Sequence, residues 1–345
     1  MKALVLTGRH EVSVMDFPGP PMGDNDVKVE VAYCGLCGSD LHKYEGRSGS
    51  RPLKLPVPLG HEISGVVAEV GANVRDFKPG DRVTVDPNWA CGGCYFCKKD
   101  LRHMCLNSRG VVKGMADYIC PPQENVYKIP DTLSLRDAAL TEPLACCLHG
   151  MDLLDIKLGE TVAIVGLGAI GTIMLQLCKL ASATEVVVID TEESKRALAE
   201  QLGATLFVNP ITQDVCQVVA DHGIVNVDKV MECVGNNPAI DTALRVAGKG
   251  ARVVLFGLGD PAKPYPFNQY EAITKELEIR TSFLNAYTTQ RAIDLLDKGA
   301  INCDLTIAKV VTPEEMVEEL HTRKYSAKGK VMTMWKKFEN DGIVR

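Results

Sequence analysis

Between residues 161 and 283 the chain alternates short apolar strands with helix-like segments, the rhythm of a parallel sheet covered by helices on both faces. Six strands can be counted, centred on Ala163-Ile164-Val165, Val187-Val188-Ile189, Leu206-Phe207-Val208, Lys229-Val230-Met231, Val253-Val254-Leu255 and Leu277-Glu278-Ile279. Directly after the first comes Gly166-Leu167-Gly168-Ala169-Ile170-Gly171, which opens an apolar-periodic run through Ile173, Met174, Leu177 and Leu180. Between a strand and a helix, these glycines permit a tight turn, close approach of backbone to a pyrophosphate and close helix packing. The helix N-terminus then presents unpaired N–H groups to the anion. Asp190, at the end of the second strand, offers a carboxylate to both hydroxyls of an adenosine ribose and repels a 2′-phosphate. That predicts NAD over NADP, although Lys195 and Arg196 close behind leave some room for a phosphate.

The flanking segments read differently. Residues 2–85 carry short alternating strands, such as 27–31 and 64–70, separated by Gly and Pro turns, which predicts an all-β, barrel-like part. Beyond Tyr287 the pattern predicts a helix over 289–297, a strand near 307–311, a helix opened by Thr312-Pro313-Glu314-Glu315 and a last strand near 330–334. Thr312 suits an N-cap, with Pro313 at the first helical position and Glu315 three residues on. This tail is too short to be a domain and is expected to pack back on the β-rich part. A chain of 345 residues, 46% apolar, supports two domain cores more readily than one.

Charge and hydropathy exclude other classes. The net charge of −6 opposes nucleic-acid binding, which is built from clustered Lys and Arg. No uninterrupted apolar run of about 18 residues is present to cross a membrane. The opening Met1-Lys2-Ala3-Leu4-Val5-Leu6-Thr7-Gly8 lacks an export-length apolar region, so a cytoplasmic location is expected.

In a reducing compartment the 13 cysteines serve as metal ligands or as buried small apolar groups, and spacing separates the two uses. Cys91-Gly92-Gly93-Cys94-Tyr95-Phe96-Cys97 with Cys105 presents four soft donors that can close a tetrahedral zinc site, leaving no position for substrate. Such a site is structural. A nucleic-acid zinc ribbon would pair two knuckles on a basic surface, whereas only Lys98, Lys99 and Arg102 bring positive charge here. A second constellation, Cys37-Gly38-Ser39-Asp40-Leu41-His42, Gly60-His61-Glu62 and Thr141-Glu142-Pro143-Leu144-Ala145-Cys146-Cys147, supplies mixed S, N and O donors suited to an open zinc site. Cys34, Cys120, Cys147, Cys178, Cys216, Cys233 and Cys303 read as packing residues.

With the cysteine knot, the Gly-His-Glu triplet and the dinucleotide loop, the chain resembles the zinc-containing medium-chain dehydrogenases nearly end to end. Its Glu142-Pro143-Leu144 segment resembles their polyol branch, which includes sorbitol, butanediol and sugar-alcohol phosphate dehydrogenases. The resemblance implies an α/β architecture: a GroES-like β-barrel catalytic domain over 1–150 with a structural-zinc lobe at about 88–108, a Rossmann doubly wound parallel sheet over 151–286, and a return to the catalytic domain over 287–345. It implies a catalytic zinc on Cys37 and His61, with Glu62 and Glu142 as direct ligands or holders of the bound water. Cys146 is a rival third ligand, since alcohol dehydrogenases of the superfamily use a cysteine in this neighbourhood. Glu142 is preferred because it matches the polyol pattern.

The resemblance further implies that Ser39 and His42 relay the substrate proton and that Asp40 holds His61 in one tautomer. It places cofactor contacts at Cys233-Val234-Gly235, Phe256-Gly257-Leu258 and Ser282-Phe283-Leu284. The implied activity is hydride transfer between NAD and a secondary alcohol of a small polyol, giving the ketone, in a homo-tetramer or homo-dimer with no nucleic-acid or membrane partner. Two departures matter. Leu284-Asn285 stands where sorbitol-type enzymes carry an arginine after the phenylalanine, which argues against sorbitol itself, and Lys113-Gly114-Met115-Ala116-Asp117-Tyr118 follows a shortened loop that reshapes one wall of the site. Arg47, Arg51 and Lys54 raise the alternative of an anionic, phosphate-bearing alcohol. A non-catalytic zinc and nucleotide-binding protein on the same fold is a further alternative, opposed by the joint presence of Cys37, His61 and Glu142.

Overall fold

The six expected strands of the middle segment form one parallel sheet: Thr161–Val165, Glu185–Ile189, Leu206–Val208, Lys229–Glu232, Arg252–Leu255 and Glu278–Thr281. Counted along the chain, their order in the sheet is third, second, first, fourth, fifth, sixth. The first strand is therefore central, and the connection reverses direction beside it. Val162, Ala163 and Ile164 are fully buried because helices cover both faces. In sheets of this order, ligands bind at the carboxyl ends of the strands where winding reverses. This is the Rossmann arrangement.

A computed structural model describes residues 1–47 and 53–339 and divides the chain into two compact units. One comprises Met1–Ala145 with Ala286–Arg345; the other is Cys146–Asn285, which holds the parallel sheet. The division falls inside the helix Thr141–Leu154, a few residues ahead of the expected break at 150.

The first unit is the GroES-like β-barrel domain. Its main sheet runs Val126–Lys128, Arg82–Val85, Glu62–Val70, Val27–Gly35, Lys330–Met334, Ile307–Val311, with Tyr118–Ile119 also pairing on Val27–Gly35. The alternating apolar residues Val27, Val29 and Val31 point into a core shared with Leu4, Leu6, Ile63, Val83 and Val331. The C-terminal segment thus completes the sheet of the N-terminal one. Between its two strands, Thr312 caps the helix Pro313–Thr322: its hydroxyl accepts from Glu315 N at 3.2 Å, and Glu315 Oε2 accepts from Thr312 N at 2.8 Å. Among the described residues no helix is long and apolar enough to cross a membrane.

Candidate active site

Two neighbouring strand ends build the mixed-donor site. Gly35, near the end of Val27–Gly35, lies opposite Glu62 at the start of Glu62–Val70, so the turn after one strand meets the residues that open the other. Cys37, His61 and Glu62 consequently converge, with Cys37 Sγ, a ring nitrogen of His61 and a carboxylate oxygen of Glu62 all within 4.8 Å of one another. Asp40, fully buried in the short helix Gly38–Tyr44, supports them. Its Oδ2 faces His61 Nδ1 at 3.6 Å and accepts from Cys37 N at 3.4 Å, while Oδ1 accepts from Lys43 Nζ at 3.0 Å and Gly60 N at 3.3 Å. With Nδ1 turned toward a carboxylate, Nε2 is the nitrogen left for a metal.

The electrostatics favour a cation. Burial opposes ionisation of Asp40, yet Lys43 and His61 outweigh it and hold its carboxyl low. Burial likewise opposes a charged His61, but Asp40, Cys37 and Glu142 drive its pKa well above the usual imidazole range. Glu142 is buried at the first turn of Thr141–Leu154, where burial and Glu62 push its pKa up while His61 pulls it down. It stands within electrostatic reach of the trio without joining the 4.8 Å cluster. Glu62 is 1% exposed; Lys330 Nζ donates to its Oε1 at 2.6 Å, and its Oε2 has no hydrogen-bond partner. A soft sulfur, an imidazole and a buried carboxylate oxygen in need of a partner together fit a zinc ion. Ser39 and His42 lie three residues apart on the same helix, hence on one face, and both are half-buried. Cys146, one turn beyond Glu142 on the same helix, falls in the other unit.

The four-cysteine cluster has its own geometry. Sγ of Cys91 and Cys105 lie 3.6 Å apart, those of Cys94 and Cys97 3.6 Å, and those of Cys94 and Cys105 3.9 Å. These separations are far too long for disulfides, and none of the 13 cysteines is joined in one. They match the edges of a tetrahedron about an ion with Zn–S bonds of ~2.3 Å, which are ~3.8 Å long. Asn107 Nδ2 donates to Cys91 at 3.5 Å, and with backbone N–H groups of Gly93 and Cys94 it lowers that thiol's pKa. Burial, with the neighbouring Cys105 and Cys94 thiols, instead raises Cys97. The lobe's buried cluster is little else: Ala90, Cys97 and Cys105, flanked by Cys91 and Cys94. Tyr95 and Leu106 point outward, so a metal is the natural substitute for the missing apolar core.

In the other unit, the helix Ala169–Leu180 starts at Gly168, where an added Cβ would meet nothing, leaving open space over the N-terminal amides. Gly171 is the opposite case: a Cβ there would lie 1.8 Å from Gly166 O. Gly171→Ala should therefore displace the turn and weaken NADH binding by about tenfold or more, equivalent to ~1.4 kcal/mol. Fluorescence titration measures this, and an affinity within about twofold of the parent would remove the close-packing argument. Asp190 Oδ2 accepts from Leu167 N at 2.6 Å and from Lys195 Nζ at 3.0 Å, and Oδ1 accepts from Glu192 N at 2.9 Å. The carboxylate thus ties the glycine loop to the end of the second strand. Among the loops at the strand ends, Val234 and Leu258 are about half exposed, and Leu284 adopts φ 58°.

Comparison with known proteins identifies the family. Residues 23–131 match the family model of the alcohol dehydrogenase GroES-like domain, and residues 169–298 that of zinc-binding dehydrogenases. The D-arabitol-phosphate dehydrogenase of Enterococcus avium is 37% identical over 311 residues, 88% of each chain. The sorbitol dehydrogenase of Bacillus subtilis is 33% identical over 312 residues, 88% of this chain and 87% of that one. The chain is a zinc-containing medium-chain dehydrogenase of the polyol branch. A solved structure from Sinorhizobium meliloti 1021, described as a zinc-binding dehydrogenase bound to NADP, superposes with a TM-score of 0.89 at 36% identity, covering 96% of this chain and 98% of that one. This dehydrogenase is accordingly a zinc-dependent oxidoreductase that works with a nicotinamide dinucleotide.

Sequence reasoning misses Lys330 and Glu232 and leaves the ion pair of Lys195 unseen. Lys330 is 2% exposed against Glu62, although lysine in a strand normally reads as solvent-facing. Glu232 is fully buried, its Oε1 accepting from Val234 N and Gly235 N, both at 2.7 Å, so it fixes the loop after the fourth strand. An acidic residue closing the apolar run Lys229–Glu232 was the available signal. Lys195, which in the sequence leaves room for a phosphate, pairs with Asp190.

Proposed function

We propose that the dehydrogenase oxidises a secondary alcohol of a small polyol to the ketone with NAD, and reduces the ketone in reverse. The observation that carries this reading is the convergence of Cys37, His61 and Glu62 on one point, with a buried Glu62 oxygen lacking any hydrogen-bond partner. When bound, zinc supplies the Lewis acidity that makes an alcohol hydroxyl acidic, and NAD supplies the hydride acceptor. Cys37 and His61 hold the ion, Asp40 keeps His61 oriented, and Glu62 and Glu142 complete or exchange within the donor set. Ser39 Oγ takes up the hydroxyl proton and passes it to the His42 ring, which delivers it outward. Cys91, Cys94, Cys97 and Cys105 hold a second, structural zinc. In the dinucleotide unit, Gly166, Gly168 and Gly171 shape the pyrophosphate seat and Asp190 takes the ribose hydroxyls. The ends of the last three strands, at 233–235, 256–258 and 282–284, line the nicotinamide. We read NAD as the physiological coenzyme because Asp190 opposes a 2′-phosphate; Lys195 beside it and the NADP-bound relative favour a test with both coenzymes. The family resemblance supports a cytoplasmic homo-dimer or homo-tetramer.

A second reading, oxidation of a polyol phosphate, is favoured by the E. avium relative. The cationic loop contributes less than its composition suggests. Arg47 pairs with Glu45, which also binds Arg323 at 2.8 Å; Lys54 is exposed, and Arg51 lies outside the described residues. Polyols assayed beside their phosphates, with NADH formation as readout, decide between the two. A preference for phosphates beyond about tenfold in kcat/KM, ~1.4 kcal/mol, selects the second reading. Equal efficiency retains the first, and no turnover on any secondary alcohol ends both.

A further inference from the structure

Lys330 is almost wholly buried beside the metal donors, which lysine does only when paired. It comes from the C-terminal strand Lys330–Met334, which pairs with Val27–Gly35 through Met332 and Gly35, while Gly35 faces Glu62 on its other side. The lysine Nζ donates to Glu62 Oε1 at 2.6 Å and to Leu36 O at 3.1 Å, and Leu36 N in turn donates to Val331 O at 2.9 Å. The ammonium is thereby held between one backbone carbonyl and one carboxylate oxygen. Glu62 Oε2 lies over Gly35, where an added Cβ would come within 2.0 Å of it, and it finds no hydrogen bond. One carboxylate oxygen thus accepts from the ammonium, and the other has no hydrogen-bond partner.

We propose that Lys330 is a positioning residue that restrains Glu62 to a single-oxygen, exchangeable partner of the zinc, keeping open the coordination position a substrate hydroxyl needs. The inference rests on the zinc-site reading above. An untethered Glu62 carries its full charge and both oxygens next to the ion, and it competes with the alcohol for that position. Lys330 acts only through the Glu62 carboxylate, so its effect vanishes when that carboxylate is an amide.

The test uses the full-length protein, metal-loaded, as Lys330→Met, Glu62→Gln and the double variant. Zinc content is measured first, then the visible absorption of the cobalt-substituted protein, whose intensity falls as four-coordinate cobalt gains a fifth ligand. Steady-state kinetics follow. K330M is expected to keep two metal ions per chain, lose cobalt band intensity, and raise KM for the alcohol about tenfold with kcat within about threefold and NADH affinity unchanged. In the E62Q background the same replacement should change neither spectrum nor KM, a comparison that stands even if K330M alone folds poorly. The proposal is overturned if K330M keeps the parent's spectrum and KM, if its activity falls only in step with lost zinc, or if Lys330→Met still shifts either quantity in E62Q. A parent protein that binds one metal ion per chain, or oxidises no alcohol, sinks the underlying functional reading instead, before any variant is compared.

Discussion

Cys37→Ala is expected to abolish turnover while leaving NADH binding intact. Cys37 is the sulfur donor of the trio with His61 and Glu62, and the dinucleotide loop belongs to the other compact unit. Removing the donor should reduce zinc from two ions per chain to one. Loss of Lewis-acid stabilisation amounts to several kcal/mol, so kcat/KM should fall by about 10³- to 10⁴-fold. Metal analysis, NADH titration and steady-state rates check the three parts separately. Activity within about tenfold of the parent, ~1.4 kcal/mol in barrier, would mean that Cys37 holds no catalytic ion.

The second large effect concerns stability. Cys105→Ala breaks a cluster in which cysteines supply most of the buried material, so the lobe has little left to hold it once the metal is lost. Structural zinc contributes on the order of 10 kcal/mol to the folding of small zinc modules. If even several kcal/mol is lost here, Tm should fall by about 10 °C, given ~2–4 °C per kcal/mol for domains of this size. The exposed Lys98 and Lys99 should become fast trypsin sites in the variant. Unchanged zinc content with Tm within about 2 °C of the parent would contradict a structural metal, because a lost cage cannot cost so little.

Where the sequence was informative, the reason is periodicity and local chemistry. The six strands of the parallel sheet came from apolar runs between helical segments, and the capping box at Thr312 came from three side chains within four positions. The tetrathiolate cluster was equally visible, because spacing alone brings four sulfurs together on one loop. What stayed hidden depends on contacts between distant parts of the chain. Lys330 and Glu62 are 268 positions apart, and no local pattern distinguishes a strand lysine that faces water from one buried against a carboxylate. Glu232 was hidden similarly, since its role is to accept from the backbone that follows it. The donor set of the mixed site showed the same limit. The family resemblance implies Cys37, His61, Glu62 and Glu142, whereas only packing reveals that Glu62 sits in the 4.8 Å cluster and that Glu142 stands beside it.

The strand Lys330–Met334 lies between Val27–Gly35 and Ile307–Val311 in the barrel sheet, close to the last described residues. On a ribosome, the contiguous dinucleotide unit is complete in sequence long before this strand emerges, whereas the N-terminal barrel must wait for it with one sheet edge unpaired. The ion pair between Lys330 and Glu62, residues 268 positions apart, therefore closes only after this strand has been synthesised.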